Sequence, residues 1–127
     1  MSFVQRLVVD ITVDASGDAT VYSDQIQYGR ISQIRYVKHG TNPFDNTVDF
    51  TVTVEATGEA VWSQSNVTAS ATIAPRQATH DVLGAASLYA AGGEPVEDKI
   101  AVARDRIKIV VAQGGNAKQG TLHIILS

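Results

Sequence analysis

Histidine, the side chain that most often serves acid–base and metal chemistry, occurs three times in this sequence, at His39, His80 and His123. None has a second ligand type at the short spacing a zinc site requires. His39 follows Lys38 at the expected end of a strand, and His123 stands between apolar neighbours on another, so both read as solvated or sheet-face side chains. No serine lies in a Gly-x-Ser-x-Gly elbow that would present a nucleophile. The carboxylates Glu55, Glu59, Glu94, Glu97 and Asp98 would serve sugar hydrolysis only beside aromatic platforms in a cleft, and they read as solvated loop charges. Asp14-Ala15-Ser16-Gly17-Asp18 lacks the alternating oxygen ligands and closing glutamate of a calcium loop, and reads as a turn. Gly114 to Gly120 joins glycine amides to Lys118 but has neither the spacing of a phosphate cradle nor a following helix, and is expected to be a hairpin loop. With no cysteine, thiolate nucleophiles, disulfides and cysteine-based metal sites are excluded.

The chemistry of these residues therefore predicts no enzyme, no cofactor and no metal, and attention moves to side chains that bind. Trp62 and Tyr89 are large aromatics of the kind that anchor interfaces. Together with Pro75, Arg76 and His80 they form the candidate protein-interface set. Trp62, Tyr89 and the neighbouring carboxylates also leave open a carbohydrate-binding β-sandwich as an alternative.

The elements that must position these residues are strands. In Val48-Asp49-Phe50-Thr51-Val52-Thr53-Val54-Glu55 the even positions are apolar and the odd ones polar, the period of a half-buried strand. Leu7, Val9, Ile11 and Val13 repeat it, and the turn at 14–18 before Ala19-Thr20-Val21-Tyr22 predicts an opening hairpin. Gln25 to Val37 is one long strand or two, with Gly29 as bulge or bend. Thr57-Gly58-Glu59 predicts a second hairpin leading into Ala60-Val61-Trp62. Residues 106–111 and 121–126 are β-prone, and Val110 and Ile125 interrupt their alternation, which suggests cover on both faces. From Ala69 to Lys99 alternation is lost in an alanine-rich stretch holding Pro75, Pro95 and Gly92-Gly93. Asp81 to Ala91 is compatible with a short capped helix or an edge strand, and the whole 69–99 segment is expected to be an irregular excursion and the first place to seek partner contacts. The prediction is an all-β single domain over 1–127, an antiparallel β-sandwich with a small β-barrel as alternative, carrying this long Ala/Gly/Pro-containing excursion.

A chain of 127 residues suffices for one core, and its formal charge of −3 is dispersed rather than blocked. Nucleic acid, which needs a dense basic patch, is not an expected partner. The apolar run Leu7-Val8-Val9, which meets Asp10 almost at once, is too short for a signal peptide or membrane span, so no membrane partner is expected and the Asn66-Val67-Thr68 sequon carries little weight.

Several stretches resemble a group of small virion structural proteins of tailed bacteriophages encoded with the head genes. They are Gly29-Arg30-Ile31, Ile34-Arg35-Tyr36, Asp49-Phe50-Thr51-Val52, Glu55 to Trp62, Asn66-Val67, Ala71-Thr72 and Pro75-Arg76. The likeness continues through Asp98-Lys99-Ile100-Ala101, Asp105 to Val110, Gln113-Gly114-Gly115-Asn116 and Gly120-Thr121, and so covers most of the chain. The resemblance implies a β-rich particle component with no enzymatic activity. Among particle roles it favours a capsid decoration or cement protein on the outer shell. Its partners would be the major capsid protein and copies of itself, with a trimer favoured, and it would be assembled in the host cytoplasm onto the virion surface. A head–tail adaptor or tail component is the alternative.

Overall fold

Side-chain alternation decides which residues of this chain meet in the core. The computed structural model describes residues 4–127, which include the apolar run Leu7-Val8-Val9. Eleven strands and no helix are found among the described residues. One sheet orders β1 (Gln5–Thr12), β11 (Gln119–Leu126) and β3 (Ile26–Lys38), with β6 (Ala71–Ile73) and β9 (Ile100–Asp105) both pairing with β3. The second orders β2 (Ala19–Tyr22), β10 (Ile107–Ala112), β4 (Asp49–Val54) and β5 (Ala60–Gln64). Every strand pairing is antiparallel. The result is an all-β fold in which one apolar face of each sheet closes on the other.

Leu122, Ile124 and Leu126 of β11 and Ile31, Ile34 and Tyr36 of β3 line the inner face of the first sheet. Ile107, Ile109 and Val111 of β10 and Phe50, Val52 and Val54 of β4 line the inner face of the second. At one end Phe50 stacks on Trp62 with ring centroids 5.0 Å apart and meets Tyr36 at 4.9 Å. The period-two rule fails between Ile31 and Ile34, which are three apart yet both buried. A register shift accounts for it: Ile125 pairs with Gln33 and Leu126 with Ile31, so Ser32 is an extra residue, a β-bulge. The bulge expected at Gly29 is therefore at Ser32, and Gly29 pairs in register with Val102.

Two expected hairpins do not form. β1 pairs with β11 rather than with β2, and β10 pairs with β2 and β4 rather than with β11. The turns at Asp14–Asp18 and Gln113–Lys118 instead carry the chain from one sheet to the other, and they brace each other through Gly114 N–H donating to Gly17 O at 2.8 Å. Alternation reveals which face of a strand is apolar but not which edge it joins, and an amphipathic strand satisfies either sheet. The hairpin joining β4 and β5 does form. Val110 and Ile125 are half-buried on the outer faces rather than covered on both sides.

β6 and β9 are two parts of one interrupted edge strand. Ile73 pairs with Ile34 and Ile100 pairs with Ile31, both antiparallel to β3, so only Ser32 and Gln33 separate their attachment points. Everything between Ala74 and Lys99 leaves and re-enters through that gap. The segment departing from the sheet is thus shorter than 69–99, because residues 71–73 return to it.

Candidate functional site: a projecting arm

The base of the arm is fastened at the bulge. Pro75 is buried, and the Arg76 guanidinium donates from Nη1 to the carbonyls of Pro75 at 2.7 Å and Ser32 at 3.2 Å. On the returning side Arg30 pairs with Asp98 at 3.1 Å, and Lys99 Nζ donates to Ser127 Oγ at 2.9 Å. Two short strands, β7 (Gln77–Ala78) and β8 (Glu97–Asp98), then form a stem.

Beyond the stem the backbone closes a three-way junction. Thr79 N–H donates to Val96 O, Val96 N–H to Ser87 O, and Ser87 N–H to Thr79 O, each at 2.8 Å. Three half-buried residues thus satisfy one another's backbone groups in one ring, and the Thr79 hydroxyl adds a bond to Val96 O at 3.0 Å. Two turns project from it. In the first, Asp81 O accepts from Gly84 N–H at 3.1 Å, Asp81 N–H donates to Ala85 O, and the Asp81 carboxylate accepts from Leu83 and Ala85 N–H. Asp81 thus caps a turn, not the helix its sequence also allowed; Gly84 takes the positive φ of 85° that ends such a turn. In the second, Gly93 N–H donates to Ala90 O at 2.8 Å with Gly92 at φ 72°, and Leu88 bridges to Pro95.

The side chains of these two turns are unusual for a folded segment. Val82 is 100% exposed, Leu83 91% and Tyr89 76%, and Leu88 is also exposed. No residue between Gln77 and Asp98 is buried. An ordered backbone therefore holds apolar side chains in water, at a cost that burying each against a partner would recover, roughly 1.5–3 kcal/mol for a valine or leucine.

Of the residues singled out from sequence, the structure brings four to the arm and leaves one elsewhere. Pro75 and Arg76 fasten its base, while His80, which bridges to Ala86, and Tyr89 stand exposed beyond the stem. Trp62 is 8% exposed and stacked on Phe50, with Nε1–H donated to Gln64 at 3.2 Å, so its ring is core and offers no platform to a sugar. Val82, Leu83 and Leu88 were missed, and Asp98, read as a solvated loop carboxylate, instead pairs with Arg30 at the arm's base. The sequence signal for the first two was an apolar pair inside an Asp-x-x-Gly turn, where side chains normally face water.

The groups considered for chemistry do not converge. His39 Nδ1 accepts from Asn42 N–H at 2.9 Å and caps its own loop, and His123 lies on the outer face of the first sheet. No group of three metal-ligating side chains exists among the described residues. A charged corner lies where the chain passes from β9 to β10. There Glu55 accepts two hydrogen bonds from Arg106, whose guanidinium also lies 3.8 Å over the Tyr22 ring, while Asp105 accepts from Ala56 N–H. The Arg106 hydrogen bond, then the charges of Arg106 and Lys108, hold the Glu55 carboxyl below its ordinary range despite some desolvation. Glu55, Asp105 and Arg106 thus have partners in the fold, and Arg106 fastens the sheet crossover.

Compared with known proteins, the chain matches no family model, no curated protein and no solved structure.

Proposed function

We propose that this protein is a structural component of a bacteriophage particle, a decoration or cement protein that binds the outer face of the capsid shell and works by protein–protein contact. The observation that carries the reading is the arm: an insertion in an edge strand whose apolar turns are left uncovered by their own chain. Such a feature suits a protein completed by its neighbours in an assembly. The phage setting rests on the sequence likeness described above, which spans most of the chain and includes the residues at both ends of the arm. In this reading the partners are the major capsid protein and further copies of the chain, and no substrate is turned over.

The test is addition of purified protein to shells that lack it. Saturable, stoichiometric binding that raises the thermal or mechanical resistance of the shells is expected, and no binding would overturn the proposal. The particle location is set by copy number. Quantified against the major capsid protein in whole particles, a shell protein is present in hundreds of copies, whereas a small ring would move the role to the head–tail joint or tail.

A further inference from the structure

The outer faces of the two sheets differ in a way the core does not explain. On the second sheet, Thr20, Val110, Thr51 and Ser63 form one cross-strand row, and Tyr22, Lys108 and Thr53 another, a largely hydroxyl surface. On the first, Val8, His123, Arg35 and Thr72 lie in one row, flanked by Arg6, Ile125 and Gln33 on one side and by Asp10, Thr121 and Val37 on the other. This face is apolar and cationic. Val8 is 50% exposed and Val37 45%, and Ile125, in the row with Arg6 and Gln33, is half-buried. Among the described residues neither Arg6 nor Arg35 has a carboxylate within ion-pair distance, and the only carboxylate in these rows, Asp10, accepts from the Thr121 hydroxyl at 2.9 Å.

The arm has the opposite character. From Gln77 to Glu97 it holds Asp81, Glu94 and Glu97 and no lysine or arginine, interleaved with the exposed Val82, Leu83, Leu88 and Tyr89. An acidic, apolar projection and a basic, apolar sheet face therefore sit on the same chain. The arm of that chain leaves its own face uncovered, as the exposure of Val8 and Val37 records.

We infer that the arm of one copy seats on the outer face of the β1–β11–β3 sheet of a second copy. Leu83 and Tyr89 cover Val8, Val37 and Ile125, and the arm carboxylates meet Arg6 and Arg35. The two surfaces are different, so the contact is heterologous and must close, as a ring or by reciprocal exchange of arms, to give a finite oligomer. Complementary charge sets the register and speeds encounter, while the apolar residues supply most of the affinity. The inference goes beyond shell binding and stands or falls separately from it, since self-association is read with no shell present.

Sedimentation velocity of the full chain tests it through complementation. The unmodified chain is expected to be a closed oligomer whose dissociation is promoted by salt. Leu83→Lys, at a position too exposed to disturb the core, and Arg35→Glu, on the outer sheet face, are each expected to weaken self-association by roughly 30-fold or more, the effect of losing an interface hot spot. Mixing the two variants supplies one intact arm and one intact face, so a one-to-one heterodimer is expected where neither variant associates alone. A monomeric unmodified chain, an oligomer untouched by either substitution, or a mixture that stays monomeric would each overturn the proposal. Circular dichroism of both variants separates loss of contact from loss of fold.

Discussion

The phenol of Tyr36 is the least comfortable group in the core. Its ring is 2% exposed, packed between Phe44 and Phe50, and its hydroxyl has no hydrogen-bond partner among the described residues. Burial accordingly pushes its ionisation above the ordinary value. Leaving a buried hydroxyl unpaired costs about 1–3 kcal/mol, so Tyr36→Phe, which keeps the ring contacts, should raise stability by about 1 kcal/mol in a denaturant titration. A clear loss would show that the hydroxyl is held by a partner the fold does not reveal. Glu55 makes the complementary case at the surface. Its pKa is lowered in the folded chain by the Arg106 hydrogen bond, so its contribution is complete above the ordinary value of 4.5 and is lost as pH falls through the lower folded value. Glu55→Gln should therefore flatten the fall in melting temperature in that acid window and leave its shape near neutrality unchanged. An unaltered acid limb would contradict the role given to this pair.

At the scale of elements, the interrupted edge strand yields a sharper expectation. If β6 and β9 are one strand with an insertion, replacing residues 74–99 by two extended residues opposite Ser32 and Gln33 should leave the sandwich folded. Stability should fall no more than about 1 kcal/mol below that of the full chain, because the arm buries little and a shorter loop costs less to close. Unfolding of this variant, seen as loss of the near-ultraviolet aromatic signal, would mean that the arm is part of the fold rather than carried by it. Much of this level was legible in the residues. Phe50, Val52 and Val54 announce their strand, Thr57-Gly58-Glu59 its hairpin, and the loss of alternation after Ala69 the departure from the sheet. Strand partners were not legible, because β1 and β10 expose the same amphipathic pattern to any edge that would take them. The bulge at Ser32 was hidden as well: it is a property of two strands in register, and the more permissive Gly29 drew attention away from it.

For the whole molecule, the fold combines a sandwich that buries the core with an arm and a sheet face whose apolar side chains are left exposed. The candidate site was only partly readable for the same reason. Tyr89, His80 and the proline at the arm's base were marked by residue type, but Val82 and Leu83 are ordinary core residues by type, and only the three-way junction places them in water. Trp62 went the other way, taken into the core by Phe50. In the proposed assembly the arm and the cationic sheet face would be covered, whereas the isolated chain leaves them open. Hydrogen–deuterium exchange compares those two states directly, with the dilute chain set against the same chain assembled on shells. The amides of Thr79, Ser87 and Val96, held by single hydrogen bonds without a core above them, should exchange quickly in the dilute chain. They should become protected on assembly, together with the peptides of β1 and β11 that carry Val8 and Ile125. Unchanged exchange across the arm, with protection confined to other surfaces or absent altogether, would contradict the account.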